Sequence, residues 1–256
     1  MPLPIQPQDL VIHMLNVGFG DNIIIGFPEQ NGRRQYAVVD CRKSDKTKKY
    51  LDKLEPNPAK RSRLAFVCAT HPHQDHISGI KPLLEDGTYR PWEFWDSGFR
   101  HNSLTYKGIL EAIQASDIQM LRVSSGLEQY FGQVRVSVLS PSVALRNRYN
   151  TYGVDMNNAS VVLRLEHYDQ DVLLARSREF TDKNMSEVER TAGESVVVLA
   201  GDAEFDSWAQ ITQEYPRVER TSQHRSPGEE DGELPLLRGG KGGPPRQHAQ
   251  RAVGRV

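Results

Sequence analysis

Three histidines and an aspartate fall within six consecutive residues, His71, Pro72, His73, Gln74, Asp75 and His76, one residue beyond the apolar run 64–69. A short apolar run of this length reads as a buried strand. Histidines at i and i+2 on an extended segment leave the same side of the backbone, so His71 and His73 can converge on one metal ion. If the chain then turns into a helix, Asp75 and His76 face a second point nearby, and one short loop serves two metals, as a two-metal hydrolase requires. Chance would give three His and one Asp at these offsets only about once in a few thousand chains of this length.

The rest of the chain alternates strand and helix patterns. Residues 10–16 and the run Ile23, Ile24, Ile25 read as paired strands, and Tyr36, Ala37, Val38 and Val39 as a third that ends at Asp40. Ser44 offers an N-cap to a helix carrying Lys48, Tyr50, Leu51 and Leu54, which Pro56 and Pro58 stop. Residues 77–85 read as a helix, 92–95 as a strand, and 103–115 as a helix with Leu104, Ile109, Leu110 and Ile113 on its apolar face. Residues 118–123, 127–131, 134–139, 159–165, 172–175 and 195–200 read as strands, and 204–215 as a helix. Sheets covered by helices follow, an α/β layered domain.

With 38% hydrophobic and 25% charged residues, the 256-residue chain suits one domain with a tail. The domain is expected over 1–216. Beyond Pro216, Arg, Gly, Pro, Gln and Glu dominate, and 217–256 reads as a disordered tail, solvated or able to bind RNA or acidic partners. The charged stretch 176–194 reads as an inserted loop. A net charge of -1 gives no strong field toward nucleic acid or anionic membranes. Two cysteines, Cys41 and Cys68, do not make a disulfide scaffold and read as packed, reduced thiols. With no signal peptide and no membrane-length apolar run, the expected location is cytoplasmic.

The hexad resembles the H-x-H-x-D-H signature of the metallo-β-lactamase superfamily, at that family's place between a strand and a helix. Asn16, Val17, Gly18, Phe19, Gly20 and Asp21 resemble the V-G-x-G-D element of the branch that includes the DNA-uptake protein ComEC. Asp40, the segment Asn157, Asn158, Ala159 and Ser160, and Ala200, Gly201 and Asp202 resemble further elements of that branch in the same order. The resemblance covers Val11 to about Pro216. It implies an αβ/βα four-layer sandwich with metals at one edge, His71 and His73 holding one zinc, Asp75 and His76 the other, and Asp202 bridging. It also implies a metal-bound hydroxide as the attacking group, Asp75 orienting the water, and Asp21 and Asp40 supporting the site through hydrogen bonds. Taken alone, Asp202 is an aspartate in a turn, as suited to capping a helix as to binding metal.

Three departures matter. Asp155, Met156, Asn157 and Asn158 stand where the family adds a third His, though the resembled branch also has Asn there. The last His, with the final strand and helix, has no counterpart except His224 or His248 in the tail. The change of composition after Pro216 reads as an alternative C-terminus from altered splicing or a frame change, which an mRNA reading continuously through an unshifted frame would refute. A carboxylate-rich site with few histidines suits iron or manganese better than zinc. Three functions remain open: a metal-dependent hydrolase acting on a small molecule or phosphodiester, nucleic acid included; a metal-binding or interaction protein that keeps the fold without turnover; and, less favoured, an oxidoreductase on the same scaffold using iron. Arg100, Lys107, Arg146 and Arg148 are cations a phosphate cleft could use. His13, His101 and His167 read as structural or surface residues.

Overall fold

The computed structural model describes residues 4–99, 101–152, 155–168 and 195–215. Among them, six strands form one sheet in the order β1 (Val11–Met14), β2 (Asn22–Gly26), β3 (Tyr36–Cys41), β4 (Phe66–Ala69), β5 (Glu93–Asp96) and β6 (Gln119–Arg122). β1 to β3 pair antiparallel, and β3 to β6 pair in parallel. Every parallel step needs a crossover. Helices α1 (Ser44–Leu54), α2 (Gln74–Ile77) with α3 (Ile80–Leu84), and α4 (Leu104–Gln114) provide them. A second, antiparallel sheet has the order β10-β9-β8-β7, from β7 (Glu128–Phe131), β8 (Val134–Ser140), β9 (Val162–His167) and β10 (Ser195–Leu199).

Strand periodicity sorts the side chains into layers. Ile23, Ile25, Val39, Phe66, Cys68 and Trp95 point into the space between the sheets, where Val134, Val136, Val138, Leu163 and Leu165 meet them. Phe66 stacks on Trp95 there, with ring centroids 4.0 Å apart. The alternate residues Ile24, Val38, Val67 and Phe94 pack beneath Leu51, Leu83, Ile109 and Ile113 of the helices. Leu139 and Val162, on the outer face of the second sheet, meet Ile211 of the last described helix, α6 (Phe205–Glu214). The order helix, sheet, sheet, helix is the expected αβ/βα sandwich. Strands covered on both faces need no polar alternation, which is why Ile23 to Ile25 and 64–69 read as unbroken apolar runs. Each such side chain contributes about 1.5–3 kcal/mol by its burial.

Several local expectations are corrected. The cap of α1 is Lys43, without a side-chain cap bond, and Ser44 is the first helical residue. The helix expected over 77–85 is two short helices, because Gly79 is pressed against the end of β3. Its N–H donates to the Cys41 carbonyl at 2.7 Å, and a Cβ there would stand 2.6 Å from the Ser44 nitrogen. On α4 the buried residues are Tyr106, Ile109, Ala112 and Ile113, while Leu104 is exposed. Strand β9 starts at Val162, after a 3-10 turn over Met156–Ala159. Helix α5 (Val143–Tyr152) carries no apolar stripe that would announce it, and its one sequence signal is Ser142, whose Oγ accepts from Leu145 N at 3.0 Å. The strand expected over 172–175, the loop 176–194 and the tail 217–256 lie outside the described residues. No described helix is long and apolar enough to cross a membrane.

Candidate metal centre

Parallel strands β3 to β6 end at one edge of their sheet, and sites in such sheets form beyond the C-terminal ends of the strands. Asp40 lies at the end of β3, and Thr70 and the histidine loop follow β4. From the other sheet, the start of β9 and the end of β10 reach the same place. Val161 N donates to the Thr70 carbonyl at 2.8 Å. Gly201, at φ +54°, lies so close that a Cβ would stand 2.8 Å from the Thr70 Cβ. That contact needs glycine on both counts, conformation and space.

The next residue, Asp202, is thereby set among the histidines. Its Oδ2 is 3.3 Å from His76 Nε2 and 3.9 Å from His71 Nε2. His71 Nε2 lies 3.0 Å from His73 Nδ1, and Asp75 Oδ2 is 3.6 Å from His76 Nε2. All five candidates from the hexad and the Gly201–Asp202 turn therefore reach one pocket. Donor atoms of His71, His76 and Asp202 lie within 4.8 Å of one another, and the 3.3 and 3.9 Å from Asp202 to the two rings fit inside the roughly 4.4 Å that bonds of about 2.0–2.2 Å to one ion allow.

The pocket has a built floor. Asp40, at φ +53°, is fully buried. Its Oδ1 accepts from Thr70 N at 2.8 Å, and its Oδ2 accepts from Thr70 Oγ1 and from His76 Nδ1, each at 2.7 Å. With Nδ1 engaged, His76 presents Nε2 to the pocket. Thr70 Oγ1 gives its proton to Asp40, so it accepts from His71 Nδ1 at 3.1 Å, with Ser160 Oγ at 3.4 Å. The lone pair of His71 Nε2 then faces inward as well. Asp21, Asp40 and His76 also approach one another. The Asp40 oxygens and His76 Nδ1 are already engaged in hydrogen bonds, so we read this second group as the support of His76. Gly20, at φ +96°, touches the Asp75 carbonyl, where any Cβ would overlap it, and fixes the loop bearing Asp21.

Electrostatics separates the two buried rings. Burial, and then the charge on His76, push His71 down to about 3. Burial opposes charge on His76 too, but the hydrogen bonds of Asp202 and Asp40 outweigh it and push that ring up to about 10. Burial raises the Asp40 carboxyl against the opposing hydrogen bonds of His76 and Thr70.

Where the family's third His would stand, Asn158 is committed to α6: its Oδ1 accepts from Ser207 N at 3.2 Å, and its carbonyl from Ser207 Oγ at 2.9 Å. Asp155 caps the following turn, accepting from Asn157 N at 3.0 Å. Asn157 donates to Glu204 Oε1 at 2.8 Å and keeps a buried Oδ1 without a hydrogen-bond partner. His101 is the surprise. Its ring lies beside His73, centroids 6.3 Å apart and nearly perpendicular, and its Nδ1 is buried without a hydrogen-bond partner. No sequence pattern marks it, because its place is set by how the loop after β5 folds back. His13 bonds to Tyr50 Oη at 3.2 Å, away from the pocket, and His167 ends β9. Of the cations, Lys107 pairs with Glu111 at 3.7 Å and Arg146 donates to the Val123 carbonyl at 2.9 Å. Phe94 and Trp95 are core, and Trp92 is exposed under the Arg63 guanidinium. Arg100, the Arg148 side chain, His224 and His248 lie outside the described residues.

No family model matches this chain, and no curated protein matches it. Among solved structures it is similar to a metallo-β-lactamase from Cronobacter sakazakii, a HARLDQ-motif mutant, at TM-score 0.36 and 11% identity, over 64% of this chain and 58% of that one. It is similar to metallo-β-lactamase MIM-1 from Novosphingobium pentaromativorans at TM-score 0.37 and 14% identity, over 78% of this chain and 67% of that one. It is also similar to the flavodiiron protein from Giardia intestinalis at TM-score 0.36 and 10% identity, over 64% of this chain and 39% of that one. Superpositions this loose decide nothing about chemistry.

Proposed function

We propose that this chain is a metal-dependent hydrolase of the metallo-β-lactamase superfamily, in the branch that includes ComEC. His71, His73, Asp75, His76 and Asp202 would hold two zinc ions, with phosphodiesters, nucleic acid among them, as the substrate class. The observation that carries this reading is the convergence of His71 and His76 Nε2 with Asp202 Oδ2 at 3.3–3.9 Å, supplied by opposite sheets. The donor chemistry fits, since two imidazoles held by hydrogen bonds at Nδ1 and a facing carboxylate are a zinc ligand set. Bound zinc supplies a Lewis acid and lowers the pKa of a water toward neutrality. The chain's own part is positional. Asp40 and Thr70 lock both rings, and the half-buried Asp75 carboxylate, 3.6 Å from His76 Nε2, would accept a hydrogen bond from an attacking water and so orient it.

A second reading, metal binding without turnover, draws on the commitment of Asn158 to Ser207, which leaves the third-imidazole position without an imidazole. Elemental analysis of untagged protein, beside a His71→Ala/His73→Ala variant, decides between them together with a phosphodiester screen. About two zinc per chain, lost in the variant, with turnover of a phosphodiester supports the hydrolase. Zinc without turnover of any ester, amide or phosphodiester supports the second reading, iron or manganese in its place would change the metal, and well-folded protein free of metal would overturn both.

A further inference from the structure

We propose that His101 is an additional imidazole donor of this centre, taking the side of the pocket where the sequence lacks a third histidine. The inference rests on the metal-centre reading above. His101 sits on the loop between β5 and α4, and that loop is pinned on both sides. Asp96 Oδ1 accepts from Gly98 N at 2.5 Å, and Gly98 turns the chain at φ +78° beside the side chains of Arg122 and Arg146. Phe99 is buried, and Ser103 caps α4 by accepting from Tyr106 N at 3.2 Å.

Held this way, the His101 ring stands edge-on to His73 with centroids 6.3 Å apart. Two imidazoles on one tetrahedral ion place their centroids about 5 Å apart. The His71–His73 and His71–His76 separations are 4.7 Å and 4.2 Å. His101 is thus about 1 Å outside that range, within reach of a side-chain rotation. A surface histidine would leave its ring nitrogens to water, whereas His101 Nδ1 is buried and has no hydrogen-bond partner. A buried polar atom without a partner is costly to keep, which argues for a ligand. On the loop that the resemblance would use, Asn158 is spent on Ser207, and the one buried side-chain atom among its described residues without a hydrogen-bond partner, Asn157 Oδ1, is an amide oxygen and not an imidazole.

The test is a zinc titration of chelator-treated, full-length protein labelled with 15N-histidine, on wild type, His101→Gln and a distant control, His13→Gln. Two results are expected: the His101 ring nitrogen shifts on zinc addition, and His101→Gln weakens zinc affinity at least tenfold while His13→Gln does not. Metal-free melts of the His101→Gln variant should match wild type. Wild-type affinity in His101→Gln, or an affinity loss with the His101 resonance unmoved, overturns the inference and leaves the centre standing. A wild type that takes up no zinc overturns the centre itself and His101 with it.

Discussion

The floor and the rim of the pocket are built on different terms. At the floor, Asp40, His71 and His76 are 0–1% exposed; Asp40 is bonded to Thr70 and His76, 30 and 36 positions away, and His71 to its neighbour Thr70 and, at 3.4 Å, to Ser160. At the rim, the side chains of Asp75 and Asp202 are 22% and 41% exposed. Buried polar groups must be satisfied or they destabilise the fold, whereas exposed ones can be spared for a ligand. Stability should therefore depend on the floor, and metal affinity on both.

The largest expected effect is that of Asp40→Ala, which strips partners from Thr70 N, Thr70 Oγ1 and His76 Nδ1 at once. It should destabilise metal-free protein by about 3–5 kcal/mol in urea unfolding. Asp202→Ala should lower zinc affinity at least tenfold but cost metal-free stability no more than about 1 kcal/mol. If the two variants unfold alike without metal, the contrast between floor and rim is broken. Gly201→Ala should fall between them, at about 1–3 kcal/mol, from left-handed strain and the clash with Thr70, and it should also weaken zinc binding by displacing Asp202.

Acid and alkali probe the floor in opposite senses. His71 is lowered in the fold, so the unfolded chain binds a proton that the native one refuses. Stability falls as pH drops from about 6.5 toward about 3. His76 is raised, so its contribution is complete below about 6.5 and is lost as pH climbs through about 10. Each slope is at most about 1.4 kcal/mol per pH unit. Unfolding curves of chelated His71→Asn should lack the acid slope, and those of His76→Gln the alkaline one. The smallest effect belongs to Phe19, 78% exposed on the rim loop. Its replacement by Ala should change stability by no more than about 0.5 kcal/mol.

The sequence conveyed much of this because its signals are local. The apolar run 64–69 and the hexad after it are contiguous, and unbroken apolar runs such as Ile23 to Ile25 mark strands buried on both faces. What it could not convey depends on chain segments meeting. The resemblance implies that Asp40 supports the site, but not its partners: its three hydrogen bonds come from residues 30 and 36 positions away. Asn157 and Asn158 read alike, yet one is committed to Glu204 and the other to Ser207. Leu104 reads as part of the apolar face by its side-chain type, but the packing of α4 starts that face at Tyr106.

Cys41 and Cys68 sit fully buried on neighbouring strands, both as free thiols. Burial pushes the Cys41 thiol up to about 12 and that of Cys68 well above its ordinary range. Alkylating reagents attack thiolates, and the native chain presents none. Phe19→Cys would therefore create the one site a maleimide dye labels, giving a fluorescent reporter next to Gly20, which packs on the Asp75 backbone, without first removing either natural thiol.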